Sequence, residues 1–252
     1  GIAGVAGGDV NSGVLGVGIH SYQAIESGEE GNVTELSSLV DAMFDALDLE
    51  TGLLEIDIAC LEVEINSQSD PHISNDIQIL RETVEMLYDL DIVSLTVRGN
   101  GGAEISNPLQ SEERFPASYP DHWLVSVGAS GVDGSRLIED VNSSIVNDDN
   151  FSTSFGDEMD LIAPGASDLI YSTWSSATQD LYGNFNGTSA ALPHVTGVAA
   201  LLLGFYDGLL AQEDLEKLIE YSTDDIIAID PGDPVYLQYA PGYDDFNGWG
   251  RL

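Results

Sequence analysis

With 44 acidic side chains against six basic ones in 252 residues, the chain carries a formal charge of −38, which leaves no basic face to hold nucleic acid or an anionic membrane surface. A hydrophobic content of 43%, gathered into distinct apolar blocks, excludes a purely acidic disordered segment. Cys60 is the only cysteine, which excludes an intrachain disulfide.

The length suits one well-buried α/β domain, and no linker, repeat or low-complexity block divides residues 1–252. Self-repulsion on this scale destabilises a compact state in dilute buffer. It is screened within about 8 Å at physiological ionic strength and about 3 Å at molar salt. The composition therefore reads as that of a folded, secreted protein from a saline or marine setting. The longest apolar run, Val195 to Tyr206, is too short to span a bilayer and contains two glycines, so membrane insertion is not expected. The chain opens without methionine or a basic, signal-like segment.

In chain order, Val14-Leu15-Gly16-Val17 reads as a turn and Tyr22-Gln23-Ala24-Ile25 as a short strand. Between Val33 and Leu49, apolar residues at Leu36, Leu39, Val40, Met43, Phe44 and Leu47 predict a helix. Cys60 sits in the apolar run 53–61 and reads as a core residue rather than a reactive thiol. Leu61 to Ile65 alternates apolar and acidic residues, as a strand at an edge or mouth would. A second helix is predicted over Ile77 to Leu90, and buried strands over Ile92–Val97, Trp123–Gly128 and Met159–Pro164. After Ser189 comes a small, apolar segment expected to form a helix buried all round, and then a short helix over Glu213–Ile219. Strands alternating with helices imply a mostly parallel sheet covered on both faces, with a site at the carboxyl ends of its strands.

Two segments carry chemistry. In Asn186-Gly187-Thr188-Ser189-Ala190-Ala191-Leu192-Pro193-His194-Val195, a small-residue turn presents a hydroxyl where a buried helix begins. The simplest reading of Gly-Thr-Ser alone is an N-cap. The functional reading is a nucleophile, Ser189, whose oxygen stands clear of the backbone beside unpaired N–H groups. In Arg98-Gly99-Asn100-Gly101-Gly102, the Asn100 amide can donate to an oxyanion, although locally the segment is an ordinary turn.

The first of these segments resembles the nucleophile motif of the subtilisin-like serine peptidases, G-T-S-x-A-x-P-H-V-x-G, and the second is similar to their A-A-G-N-x-G segment. Further likenesses lie at Phe115–Pro120, Val125–Ala129, Phe151–Gly156, Ala163-Pro164-Gly165 and Gly248–Leu252. The resemblance implies a three-layer α/β fold with helices on both faces of the sheet. It also implies a serine endopeptidase that cleaves extended peptides through an acyl-enzyme on Ser189, with Asn100 stabilising the oxyanion. The family's D-[ST]-G and H-G-T-x-V-A-G motifs do not occur here, and Gly1–Gly7 resembles the stretch that comes after the histidine motif. The chain is therefore expected to lack the N-terminal part of the domain with its aspartate and histidine, and to be inactive alone. His194 lies about 7.5 Å along the helix from Ser189, too far for a base, and is structural in the family. His20, His72 and His122 have no context of a base. A catalytically inactive, peptide-binding or structural domain is the alternative.

For the substrate cleft, the family's S-L-G-G strand is matched to Glu64-Ile65-Asn66-Ser67, where Asn66 or Ser67 narrows the room glycines usually leave. Arg98, before Gly99, either covers apolar surface with its stem or makes a positively charged pocket that favours acidic side chains. No cofactor is required by the expected chemistry. Some subtilases bind calcium near the loop matched by Asn11 to Val17, and abundant carboxylates suit calcium by charge, but no ligand is assigned. The expected partner is a peptide or protein substrate, and the expected location extracellular.

Overall fold

The computed structural model describes residues 5–9, 14–21, 26–28, 31–33, 36–45, 56–66, 73–102, 113–132, 134–137, 152–166, 170–173, 182–226 and 241–252. Two short antiparallel ribbons come first, β1 (Gly8–Asp9) with β2 (Val14–Leu15) and β3 (Glu26–Gly28) with β4 (Gly31–Val33). Helix α1 spans Leu36–Asp45. Strands β5 (Ile58–Leu61) and β6 (Ile65–Asn66) precede helix α2 (Ile73–Asp89). Then come β7 (Val93–Val97), β8 (Arg114–Phe115), β9 (Val125–Ser130), β10 (Leu161–Pro164), β11 (Tyr171–Thr173) and β12 (Tyr182–Asn184). Helices α3 (Thr188–Phe205) and α4 (Gln212–Glu220) complete the order.

The centre is a four-stranded, all-parallel sheet in the order β10-β9-β7-β5. Period-two alternation sorts its side chains. Val93, Leu95, Val97, Val125 and Val127 join Leu192 and Val195 of α3 and Leu215 and Ile219 of α4 in one core. Ala59 and Leu61 face the other way, into a second core built on Leu39 and Met43 of α1 and Leu80, Val84 and Leu87 of α2. The protein is thus an α/β fold with helices on both faces of a parallel sheet. Each fully buried Leu, Ile or Val side chain contributes about 1.5–3 kcal/mol, and β7 is buried at every position.

The structure differs from the sequence reading at four elements, the first being Val14-Leu15, read as part of a turn but found as strand β2. The hydrogen-bonded strand is Ile58–Leu61, not Leu61–Ile65, because pairing with β7 ends at Leu61 opposite Thr96. Ile65 and Asn66 instead pair with Phe115 and Arg114 of β8 in a separate antiparallel ribbon. Helix α3, in contrast to the apolar run judged too short, is long and apolar enough to cross a membrane by length and composition alone. It serves as the core helix under the sheet, with Ala191, Leu192, Val195 and Ala199 fully buried. The strand expected at Tyr22–Ile25 lies outside the described residues.

Candidate active site

The segments after β5 and β7 and the start of α3 meet at the carboxyl end of the sheet. Asn100 leaves β7 after two residues and Ser189 is the second residue of α3. The N-cap residue of α3 is Gly187, which has no side chain to give it, so the N-cap reading of Thr188 and Ser189 is not what the fold uses. Gly187 has φ +95°, a conformation that favours glycine, and a Cβ there would lie 3.3 Å from the Asn100 amide.

The Thr188 N–H donates to Asn100 Oδ1 at 3.0 Å and the Thr188 hydroxyl donates to the same atom at 3.3 Å. A backbone N–H can bond only to the oxygen of an amide, so the partner fixes which way Asn100 faces. Its Nδ2 is left to donate elsewhere, and Asn100 is exposed.

Ser189 is half-buried. Near it is Glu62, the residue directly after β5. The two line a cavity of about 200 Å³ whose other walls include Ile170, Thr173, Phe185 and Pro193. Glu62 as a residue is exposed, yet loss of water around its carboxyl pushes that group up to about 7, with nearby Ser189 opposing the shift. Pro193, inside α3, has no N–H to give the Ser189 carbonyl one turn earlier.

The remaining predicted residues divide. Glu64 and Gly99 are brought together: the Glu64 carboxylate, paired with Arg114 Nη1 at 2.9 Å, lies where a Cβ on Gly99 would collide with it. Narrowing beside Asn100 therefore comes from Glu64. Ile65 and Asn66 belong to the β6–β8 ribbon and are not among the cavity-lining residues; Ser67 lies outside the described residues.

The positively charged pocket expected from Arg98 is corrected. Arg98 is only 3% exposed, and its guanidinium donates to the Ala117 carbonyl at 2.7 Å, the Phe155 carbonyl at 2.9 Å and Glu158 at 3.3 Å. These partners lie in segments following β8 and preceding β10, so the side chain ties loops together. Burial lowers its pKa, with Glu158 opposing. Arg98→Ala is expected to leave two buried carbonyls and a carboxylate without their donor. The loss expected in denaturant titration is about 3–5 kcal/mol. Unchanged stability together with a changed side-chain preference would restore the pocket reading.

None of the described histidines lines the cavity. His194 Nδ1 is 2.8 Å from the Ala190 carbonyl on its own helix, His122 acts on Glu220 and His20 is exposed. His72 lies outside the described residues. Cys60 faces α3, where Thr196 Oγ1 donates to its sulfur at 3.4 Å, and burial pushes the thiol up to about 12. Asn11–Gly13, in the loop matched to calcium binding, also falls outside the described residues. Among the described residues, Asp160, Glu216 and Glu220 hold their ligand atoms within 4.8 Å of one another. Asp160 directly precedes β10, which puts the group at the opposite end of the sheet from Ser189.

Residues 1–250 match the sequence pattern of the subtilase family. The chain belongs to that family. Among subtilases it is similar to subtilisin DY of Bacillus licheniformis, at 36% identity over 144 residues, 57% of this chain and 44% of that one. It is also similar to subtilisin E of Bacillus subtilis (strain 168), at 39% identity over 124 residues, 49% of this chain and 26% of that one. The matched stretches thus span less than half the length of these relatives. The crystal structure of a lanthipeptide protease shares the fold with a TM-score of 0.66 at 18% identity, over 92% of this chain and 66% of that one. Against this subtilase background Glu62 is the residue the sequence reading missed. The only local signal was an acidic residue at the end of an apolar run, and its place beside Ser189 is set only by the fold.

Proposed function

We propose that the protein is a serine endopeptidase in which Ser189 attacks the carbonyl of an extended peptide and Asn100 stabilises the oxyanion. The observation that carries this reading is the pair of bonds from Thr188 to Asn100 Oδ1. They pin the amide oxygen at the first residue of α3, and a donor nitrogen opposite that oxygen supports the oxyanion role. Attack forms the Ser189 Oγ–C bond while the carbonyl π pair moves to oxygen. A donor held in place before this charge develops lowers the barrier without reorganising. Collapse expels the amine and leaves an acyl-Ser189 ester, which water hydrolyses.

The proposed setting is extracellular, supported by the acidic composition and the subtilisin relatives. The 252 residues alone are proposed to turn peptides over far more slowly than a complete subtilase, since no described histidine is placed beside Ser189. A second reading, a subtilase-like domain that binds peptides without cleaving them, draws support from Glu64 lying against Gly99. The test is hydrolysis of casein and of fluorogenic peptides by a form of the protein extended at its N-terminus, compared with Ser189→Ala. Cleavage that vanishes in the variant supports the peptidase. Peptide binding by both forms with cleavage by neither supports the second reading.

A further inference from the structure

We infer that the Glu64–Arg114 ion pair sets the substrate class: it fills the room beside Asn100, so the residue that contributes the attacked carbonyl must be small and uncharged, such as glycine, alanine or serine. This rests on Ser189 and Asn100 being the acylating pair, and it names what they act on.

Three segments bring the pair to the end of the sheet. Gly99, the residue before Asn100, has φ +101°, and a Cβ there would lie 2.4 Å from Glu64 Oε2, 3.0 Å from Arg114 Cγ and 3.4 Å from Ser154 Oγ. Glu64 directly precedes β6 and Arg114 opens β8, strands that pair at Asn66 and Arg114. The Arg114 N–H donates to Ser118 Oγ at 3.0 Å, and the Ser118 N–H donates to the Arg114 carbonyl at 2.8 Å. The Ser154 N–H donates to the Gly99 carbonyl at 2.9 Å. Across this frame Arg114 Nη1 donates to Glu64 Oε1 at 2.9 Å, with the arginine side chain only 15% exposed and the glutamate 31%.

The reaction geometry brings substrate to the same place. A carbonyl oxygen turned to Asn100 lies about 3 Å from the amide nitrogen, and the Cα on the same carbon is about 2.4 Å from that oxygen. The side chain on that Cα therefore branches within reach of Gly99, where the Glu64 carboxylate already lies. Anything longer than a methyl or hydroxymethyl group must push Glu64 off Arg114 and leave a mostly buried guanidinium without this counter-charge. A basic side chain meets the guanidinium itself. An acidic one only exchanges one carboxylate for another, against a net charge of −38. The pair also masks a second preference. The Ser154 hydroxyl is fully buried and has no hydrogen-bond partner among the described residues. With Glu64 cut back, Arg114 and this hydroxyl are left to hold a substrate carboxylate.

The test is acylation of the 252-residue chain by succinyl-Ala-Ala-X p-nitrophenyl esters, with X alanine, phenylalanine, glutamate or lysine. The Ser189 adduct is followed by mass spectrometry in molar salt, where long-range repulsion is screened. Alanine is expected to lead the other three by about 100-fold. In Glu64→Ala the glutamate ester should rise about 100-fold relative to the alanine ester. Adding Arg114→Met to that variant should abolish the gain for glutamate and admit phenylalanine. Glu64→Gln keeps the volume and an oxygen for Arg114, so the fold is retained and phenylalanine stays excluded. Variants that slow all four esters alike show a structural role only and overturn the inference. Equal rates for all four esters in the wild type, or an unchanged order in Glu64→Ala, overturn it too and leave the nucleophile standing. No Ser189 adduct from any ester, or equal labelling of Ser189→Ala, overturns the nucleophile and the inference with it.

Discussion

Asn100→Ala is expected to slow acylation of Ser189 by about 100- to 1000-fold, the size known for removal of an oxyanion-hole asparagine in a subtilisin. The geometry dictates the kind of loss. Asn100 makes its anchoring bonds through Oδ1 and leaves Nδ2 for a charge that exists only after attack. The rate should therefore fall while ground-state binding changes little. The variant also strips the buried Thr188 N–H of its acceptor, at a cost of about 1–3 kcal/mol, so a lower melting temperature accompanies the lost rate. Asn100→Asp separates the two effects. Its carboxylate still accepts from Thr188 and keeps the helix start intact, but it has no donor and opposes a developing oxyanion. Stability near wild type with a rate at or below that of Asn100→Ala is the expected pair of results for Asn100→Asp, measured by thermal melts and by acylation with an activated ester. A wild-type rate in Asn100→Asp would remove Asn100 from the chemistry.

The second large effect is on stability, and it has a sign in both salt and pH. At a formal charge of −38 the fold gains from screening, so its melting temperature should climb by several degrees from dilute buffer to molar salt. The pH term has a local source in Asp160, Glu216 and Glu220. Burial first, with repulsion within the group, pushes Asp160 up to about 7 and Glu216 up to about 8, and burial raises Glu220 as well, opposed by His122 and Lys217. A carboxyl whose folded value is raised keeps its proton longer in the folded state than in the unfolded one. Between the ordinary carboxylate range and about pH 8, the folded protein binds more protons and stability falls as pH rises. Below that range both states are protonated and the penalty is absent. Glu216→Gln removes an ionisation that the fold resists, so it is expected to stabilise by about 2 kcal/mol at pH 8.5 and to change little at pH 4. That corresponds to about 4–8 °C in melting temperature for a chain of this size. Melting curves flat in both salt and pH would contradict both the charge and the burial terms.

Much of the fold is local enough to read from sequence. The 3.6-residue spacing between Val33 and Leu49 marks α1, and the run Ile92–Val97 marks β7 almost to its ends. Helix α2 begins at Ile73, earlier than expected, because Ser74, Asn75 and Asp76 carry no apolar period. The misplaced strand at Leu61–Ile65 has a physical cause. β5 belongs to a sheet covered on both faces and reads as the unbroken run Ile58-Ala59-Cys60-Leu61, whereas the alternation beyond it follows the lip of the cleft.

The site divides the same way. Ser189 and Asn100 each sit in a recognisable segment. Yet the bond that orients Asn100 comes from 88 residues away, and the fates of Arg98 and Glu62 depend on contacts of comparable reach. A charged residue in a sequence does not show whether its charge faces the cleft or the interior. Here the arginine turned to two buried carbonyls, and an acidic residue took the place beside Ser189.

Ser189 as the nucleophile is the claim on which the rest depends. Its most direct test is peptide mapping of the 252-residue chain after prolonged exposure to a fluorophosphonate. The expected result is a single adduct on Ser189, absent from Ser189→Ala and formed far more slowly in Asn100→Ala. An adduct on another residue, or none on Ser189 under conditions where the chain is folded, would contradict it.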